Sequence, residues 1–185
     1  MNEFSLDLFA TRFFEFTVDS ELCLNVLKEI HEKKTDIHIA SNASLSMTSA
    51  DYMSDYFHSV KLNSFESIMS KISEVFVSQN MSFHLKEYWT AFYRGKAGHS
   101  IHTHSKNILE KVNYSGILYL SNFGSTTFFS VNPSSFDHHH VIDSKLGTLI
   151  MFPSNLPHQT LNETELEDDR YVVPFNCEIR YEQSI

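Results

Sequence analysis

The hydrophobic pattern of this chain changes its period at Phe83. Upstream, apolar residues recur three and four positions apart, as on one face of an α-helix; downstream they alternate, as on a β-strand. Turn signals rich in Asn, Gly, Pro and Ser divide the downstream part. It predicts a strand from 83, with Leu85, Glu87, Trp89, Ala91 and Tyr93 on one face, and strands at about 100–105, 113–121, 126–130, 139–143, 147–152, 157–161 and 170–181.

The N-terminal part predicts one strand and two helices in front of these strands. The strand is expected at 7–18, a first helix is capped by Asp19 or Ser20, and a second helix spans about 64–80. Their buried stripes are Cys23, Val26, Leu27 and Ile30, then Phe65, Ile68, Met69, Ile72, Val75 and Phe76. Residues 35–63 are polar and predict a long loop with some helix. We therefore expect a mainly β fold with N-terminal helices, a sandwich or jelly roll with helices on one side.

Length and charge narrow the class of protein. The 185 residues predict one domain, in which 1–82 form the strand and helical support and 83–185 the jelly-roll core. A net charge of −9 makes nucleic acid an unlikely partner. Cys23 and Cys177 indicate neither a disulfide framework nor a thiolate zinc site, and no targeting or membrane segment is visible. The expected location is the cytoplasm, or the host cytoplasm if the protein is viral.

Three histidines predict a metal site. His102 and His104 lie two residues apart, so on a strand both imidazoles face the same way. His158 follows an apolar strand and a Pro-flanked turn, which places it at the end of a sheet. Three imidazoles suit iron, zinc, copper or nickel, and three protein ligands leave positions open for water or substrate.

Other polar residues carry weaker predictions. Arg170 opens the last strand after an acidic run, so its guanidinium either makes a solvated ion pair or binds a carboxylate bidentately. Residues 138–140 are all His, and three consecutive strand residues cannot converge, so they are expected at the surface. On a regular strand His99 faces away from His102, unless a turn after Gly98 redirects it. It is a candidate for contact with the substrate or with a metal-binding residue.

Several motifs together resemble a family of 2-oxoglutarate- and Fe(II)-dependent oxygenases of bacteria and phages. The resemblance covers most of the chain, and its most specific part is the block 147–158 followed by Arg170. The motifs are Trp89, His102-x-His104, Ser115 to Leu120, Asn132-Pro133, Gly147-x-Leu149-x-Met151-Phe152-Pro153-Ser154-x-Leu156-x-His158, and Arg170 to Asn176. It implies a double-stranded β-helix, a jelly roll whose mouth holds iron.

The resemblance also implies roles for individual residues. His102 and His158 correspond to the family's two metal-binding histidines, while His104 occupies the position that usually carries Asp or Glu. Either His104 ligates in a three-histidine site or it stands aside and leaves an opening. Arg170 and Tyr119 would bind the distal carboxylate of 2-oxoglutarate. Four residues are weaker candidates for contact with the substrate or with the metal-binding residues: Trp89, His99, Asn176 and Tyr93, which is expected at the entrance.

The implied activity is hydroxylation of a C–H bond by dioxygen, with Fe(II) and 2-oxoglutarate as cofactors. The substrate is a small molecule or a peptide, and the sequence does not identify it. Two alternatives stay open: a non-catalytic metal-binding jelly-roll module, and a three-histidine dioxygenase that uses no 2-oxoglutarate. The oligomeric state is open as well, with a homodimer as one alternative.

Pro174 predicts a bulge or an exposed edge in the last strand, because proline cannot donate to a β-ladder.

Overall fold

The computed structural model describes residues 12–33, 54–58, 61–93, 98–104, 112–130, 139–161 and 170–181. These residues form two helices and ten strands. The helices are α1 (Ser20–Glu32) and α2 (Asn63–Ser78). The strands are β1 (Phe14–Thr17), β2 (Ser54–His58), β3 (Met81–Tyr93), β4 (His99–His102), β5 (Tyr114–Tyr119), β6 (Ser125–Phe129), β7 (His139–Asp143), β8 (Thr148–Pro153), β9 (His158–Leu161) and β10 (Arg170–Tyr181).

The strands form two antiparallel sheets. The larger sheet has the order β1-β8-β5-β10-β3-β2, and the smaller sheet has the order β4-β9-β6-β7. The helices pack on one face of the larger sheet and form with it the helix-side core, which includes Phe65, Phe76 and Phe175. Between the sheets lies the inter-sheet core, which includes Trp89, Phe128 and Phe152. The expectation of a mainly β fold with N-terminal helices and a jelly-roll core is confirmed.

The helices form largely as their patterns predict. The Asp19 carboxylate accepts a hydrogen bond from the Glu21 N–H and caps α1, and Cys23, Val26 and Ile30 are buried. In α2 the predicted stripe is buried except at Val75, which is 41% exposed. Val75 lies at the margin of the stripe, so the buried face is one residue narrower than predicted.

A bulge in β3 overturns the predicted alternation of that strand. Asn176 of β10 pairs with Glu87, whereas the next residue, Cys177, pairs with Leu85, so Lys86 is an extra residue. The strand therefore changes faces there: Leu85 packs on the helix-side core, while Trp89 belongs to the inter-sheet core. The prediction that they share a face was wrong, since a period of two holds only without a bulge.

Three other predictions need correction. Ser54–His58 is a strand, although it was predicted as part of a loop; residues 34–53 lie outside the described part of the chain. The N-terminal strand begins at Phe14, and 7–11 are not among the described residues. Pro174 was predicted to mark a bulge or an edge. It lies opposite Ile117 in β10, a strand between β5 and β3, so it is not at an edge, and the register of β10 with β3 shifts nearby, between Asn176 and Cys177. No helix in the described ranges is long and apolar enough to cross a membrane.

Candidate metal centre

The three predicted histidines converge between the ends of β4 and β9. His102 and His158 lie directly opposite each other in the ladder, so their side chains share one face, with ring centroids 4.3 Å apart. His104 follows β4, and its N–H donates to the Ser154 carbonyl at 2.9 Å. One ligand atom from each histidine lies within 4.8 Å of the others. The strand pairing, rather than any local motif, brings residue 158 to residues 102 and 104.

Hydrogen bonds fix the tautomers of two of these rings. His102 Nδ1 lies 2.8 Å from the Ser100 carbonyl, and His158 Nδ1 lies 2.9 Å from the Leu156 carbonyl. Because a carbonyl oxygen only accepts, each Nδ1 carries the proton, which leaves each Nε2 unprotonated in the neutral ring. A backbone carbonyl behind a histidine is the usual arrangement that orients a metal ligand.

The third ring completes a donor set with suitable spacing. His104 Nε2 lies 3.2 Å from His158 Nε2. Two nitrogen ligands about 2.1 Å from one ion, at angles near 90–110°, are about 3.0–3.4 Å apart. The separation of this pair lies inside that range, and all three ligand atoms lie within 4.8 Å of one another, so the residue types and their convergence suit a metal ion held by imidazoles.

Aromatic packing keeps the site dry on its inner side. The His158 ring lies 4.8 Å from that of Phe152 and 5.8 Å from that of Phe128, and the His104 ring lies 5.5 Å from that of Trp89. Burial lowers the pKa of His158 from its ordinary 6.5 to about 4, against the opposing effect of the hydrogen bond to Leu156. His158 is therefore neutral near pH 7, the form that binds metals.

His99 also lies beside the triad. The ladder between β4 and β9 shifts its register between His99 and His102, and the centroids of these two imidazole rings lie 3.8 Å apart. The strand is irregular at this point, so the offset of three residues does not place His99 on the opposite face. By contrast, His139 and His140 are exposed, as predicted for surface residues, and His138 lies outside the described ranges.

Arg170 opens β10 of the larger sheet, and its guanidinium lies against Tyr93 and Tyr119 of the inter-sheet core. It is 0% exposed, and its guanidinium carbon lies 5.6 Å from the ring centres of both Tyr93 and Tyr119. All three of its side-chain nitrogens are buried without a hydrogen-bond partner among the described residues. Burial lowers its pKa, but a guanidinium stays charged in proteins. An unpaired buried cation is costly, so this arrangement fits an anion that supplies the missing acceptors.

Tyr119 adds a hydroxyl group to this pocket. It is fully buried and donates to Thr126 Oγ1 at 2.9 Å, and burial raises its pKa to about 12, so it remains a donor. Phe128 of β6 lies opposite His158, and Thr126 lies two residues further along β6. The contact of Tyr119 with Thr126 is therefore about 7 Å along the strand from the level of His158. A ligand that spans both places must be a few carbons long.

The sequence did not single out the threonines that line this pocket. Thr126 and Thr160 lie directly opposite each other on β6 and β9, and both are buried. Thr160 shares a face with His158 by the period of two, which is the signal that would have found it. Thr126 has the same relation to Phe128, but nothing in the sequence marks that phenylalanine as part of a site.

The remaining candidates are placed as follows. Trp89 packs on His104. Tyr93 had been expected at the entrance. In the structure it is buried beside Arg170. Asn176 accepts from Ser115 Oγ at 2.6 Å and donates to Glu87 at 2.7 Å, so its polar atoms are engaged within the sheet.

Solved structures resemble this fold, whereas the comparisons of the sequence found no match. No protein-family model and no curated protein matches this chain. A prolyl-4-hydroxylase from Pseudomonas putida superposes with a TM-score of 0.63 at 13% identity, over 93% of this chain and 95% of that one. A prolyl hydroxylase from Trichoplax adhaerens, in complex with a hypoxia inducible factor peptide fragment, gives 0.67 at 14%, over 90% and 83%.

A third solved structure carries a metal and an oxoacid. HygX from Streptomyces hygroscopicus, with nickel and 2-oxoglutarate bound, superposes with a TM-score of 0.62 at 12% identity, over 91% of this chain and 83% of that one. At such identities the likeness establishes the fold, a double-stranded β-helix, and no more.

Proposed function

We propose that this chain is an Fe(II)- and 2-oxoglutarate-dependent dioxygenase that hydroxylates a C–H bond of a small molecule or peptide. The observation that carries the proposal is the buried guanidinium of Arg170, which has no hydrogen-bond partner among the described residues. It lies against Tyr93 and Tyr119 of the inter-sheet core, the core that also contacts His158 of the histidine triad. A metal site alone does not need this cation. An oxoacid that chelates the metal at one end and carries a carboxylate at the other accounts for both.

The metal ligands would be the Nε2 atoms of His102 and His158, with His104 as the third. Both Nε2 lone pairs are fixed by the backbone bonds of the opposite ring nitrogens. When bound, iron and 2-oxoglutarate supply the oxidation, in which dioxygen is consumed, the oxoacid becomes succinate and carbon dioxide, and the substrate gains a hydroxyl group. The protein holds the donors in place and excludes water with Trp89, Phe128 and Phe152.

Arg170 and Tyr119 would bind the distal carboxylate. The guanidinium can donate two parallel hydrogen bonds to a carboxylate, which also removes the cost of leaving it unpaired. Tyr119 is protonated and faces the same pocket, so it can turn its hydroxyl hydrogen from Thr126 to the ligand. The depth of this pocket below the triad suits a five-carbon dicarboxylate.

The test compares Arg170→Ala with the matched variant Arg180→Ala, whose arginine is exposed at the end of β10. Succinate formation from 2-oxoglutarate and the thermal shift caused by 2-oxoglutarate are measured with Fe(II) present. Both signals should disappear in Arg170→Ala, while its metal content stays equal to wild type. The Arg180→Ala variant should behave as wild type.

Two other results would point to the alternatives. Unchanged turnover in Arg170→Ala would contradict the proposed role of the guanidinium. A wild-type protein that binds Fe(II) but shows neither succinate formation nor an oxoacid-dependent thermal shift would favour a metal-binding module or a dioxygenase that uses no oxoacid. Dioxygen consumption without an oxoacid separates these two.

A further inference from the structure

β7 is an edge strand of the smaller sheet in the part of the chain that the structure describes. β7 ends the smaller sheet, and no strand among the described residues pairs with its other side. The Ser144 N–H donates to the Gly124 carbonyl at 2.8 Å, so the even-numbered residues along this strand direct their backbone groups to β6. His139, Val141 and Asp143 therefore direct their N–H and C=O groups outward.

Among the described residues, this edge has no lysine, proline, bulge or covering strand. Natural edge strands are protected by lysine, proline, bulges or a covering segment. The five residues of β7 are His-His-Val-Ile-Asp, their ladder to β6 is regular, and Val141 at the centre is 46% exposed. Such an edge favours the addition of another strand.

The larger sheet extends beyond the smaller one at the same side. Phe128 of β6 contacts both Phe152 of β8 and Phe13, which precedes β1, so the space beyond β7 lies towards β1. Phe13 packs on the inter-sheet core, but Glu15, two residues along the same face, is exposed. One strand position opposite β1 is thus not filled by the described residues.

We propose that a second copy of this chain fills this position, with the two β7 strands antiparallel about a two-fold axis at Val141. In this register Val141 lies opposite Val141, and His139 lies opposite Asp143 of the second copy. Every outward N–H and C=O group of these residues then has a partner. An imidazole and a carboxylate form a hydrogen-bonded pair, and two exposed valines are removed from water.

The same chemistry selects this register over its neighbours. Moving the axis to His139 or His140 places two imidazoles opposite each other, and moving it to Asp143 places two like-charged carboxylates opposite each other, which destabilises a sheet. Moving it to Ile142 places Val141 opposite Asp143, so that the pair of His139 with Asp143 is lost. Centring on Val141 also brings His140 of the second copy to the strand position that faces β1, where Glu15 is exposed. The surface is therefore complementary to itself, as a two-fold interface requires.

A cysteine variant tests the register directly. Directly opposite residues with mutual backbone hydrogen bonds have Cα atoms about 5.5 Å apart, within the range of a disulfide. Val141→Cys should form a disulfide-linked dimer under mild oxidation, whereas His139→Cys and Val77→Cys, an exposed position on α2, should not. The native Cys23 and Cys177 are buried and should not contribute. A Val141→Cys protein that stays monomeric, or equal cross-linking in the controls, would overturn the proposal.

Sedimentation of the native chain gives the second measurement. Wild type should be a dimer at micromolar concentrations, and Val141→Lys should raise the dimer dissociation constant at least about tenfold, because it places two ammonium groups opposite each other. Val77→Lys should leave the constant unchanged. A wild-type protein that remains monomeric at these concentrations would refute the dimer, whatever the outcome for oxoacid turnover.

Discussion

His104 Nε2 lies 3.2 Å from His158 Nε2, and the planes of the two rings differ by 13°. A chain of backbone hydrogen bonds produces this relationship: His104 N–H donates to the Ser154 carbonyl, and Ser154 N–H donates to the Asn113 carbonyl. The main chain thus ties the segment after β4 to the turn before β9. His104, which occupies the position where a carboxylate was expected, is therefore fixed by backbone hydrogen bonds next to His158.

Replacing His104 tests whether it is a ligand. If three imidazoles hold the metal, His104→Ala should weaken Zn²⁺ and Fe(II) binding by about tenfold or more, because two ligands remain. His104→Asp should keep binding and add a negative charge to the site. The measurement is competition with a chromogenic chelator, with His84→Ala, an exposed residue of β3, as the control. Wild-type affinity in His104→Ala would mean that His104 stands aside and leaves an opening.

Arg170 should lower the stability of the ligand-free protein. Its buried guanidinium nitrogens have no partner among the described residues, so Arg170→Met exchanges a desolvated charge for an apolar chain of similar length. We expect the free energy of unfolding without ligand to rise by about 1–4 kcal/mol. Addition of 2-oxoglutarate with metal should stabilise the wild type and leave Arg170→Met unchanged.

Urea denaturation with and without the oxoacid measures both effects. Arg180→Met is the control, because loss of this exposed arginine and its ion pair with Glu178 should lower stability by about 0–1 kcal/mol and not raise it. A clear destabilisation by Arg170→Met in the ligand-free protein would show that the cation is already paired there. That result would remove the main argument for an oxoacid pocket.

The sequence predicted the parts of this site that depend on residue type and local period. His102, His104 and His158 come together, and Arg170 lies against Tyr119, because strands with a period of two deliver side chains to a known face. The residues that were misplaced depend on irregular pairing. The bulge at Lys86 reversed the face of Leu85, and the register shift in β4 brought His99 to His102. Bulges are set by the partner strand, which local sequence does not contain.

Gly147 should be far less tolerant of a side chain than Gly124. Both have positive φ, 85° and 78°, which disfavours any other residue by about 1–2 kcal/mol. At Gly147 a Cβ would also lie 2.6 Å from the Val18 carbonyl oxygen, in backbone that joins β1 to α1, and the Gly147 carbonyl accepts from Val18 N–H at 2.7 Å. Gly147→Ala should therefore lose clearly more unfolding free energy than Gly124→Ala. Equal losses in thermal denaturation would contradict the clash.

Glu29 provides the N-cap that α2 lacks in its own sequence. Leu62 at the cap position has no side-chain acceptor, and the Glu29 carboxylate of α1 accepts instead from Asn63 N–H at 2.6 Å and from Ser64 N–H at 2.8 Å. Partial burial raises the pKa of Glu29, but the bonds from Ser64 and Asn63 and the charge of Lys33 outweigh it, so the net pKa is lowered. The bridge thus depends on the ionised carboxylate.

A lowered pKa fixes the sign of the pH dependence. The ionised form stabilises the folded state above the ordinary pKa of a glutamate, and this stabilisation is lost as the pH falls through the lower folded value. Glu29→Gln should cost about 1–2 kcal/mol of unfolding free energy at neutral pH and progressively less in acid. Glu32→Gln, at an exposed ion pair with Lys28, should change little at any pH. Denaturant midpoints between neutral and acid pH distinguish the two, and a pH-independent loss for Glu29→Gln would show that the cap does not depend on the ionised carboxylate.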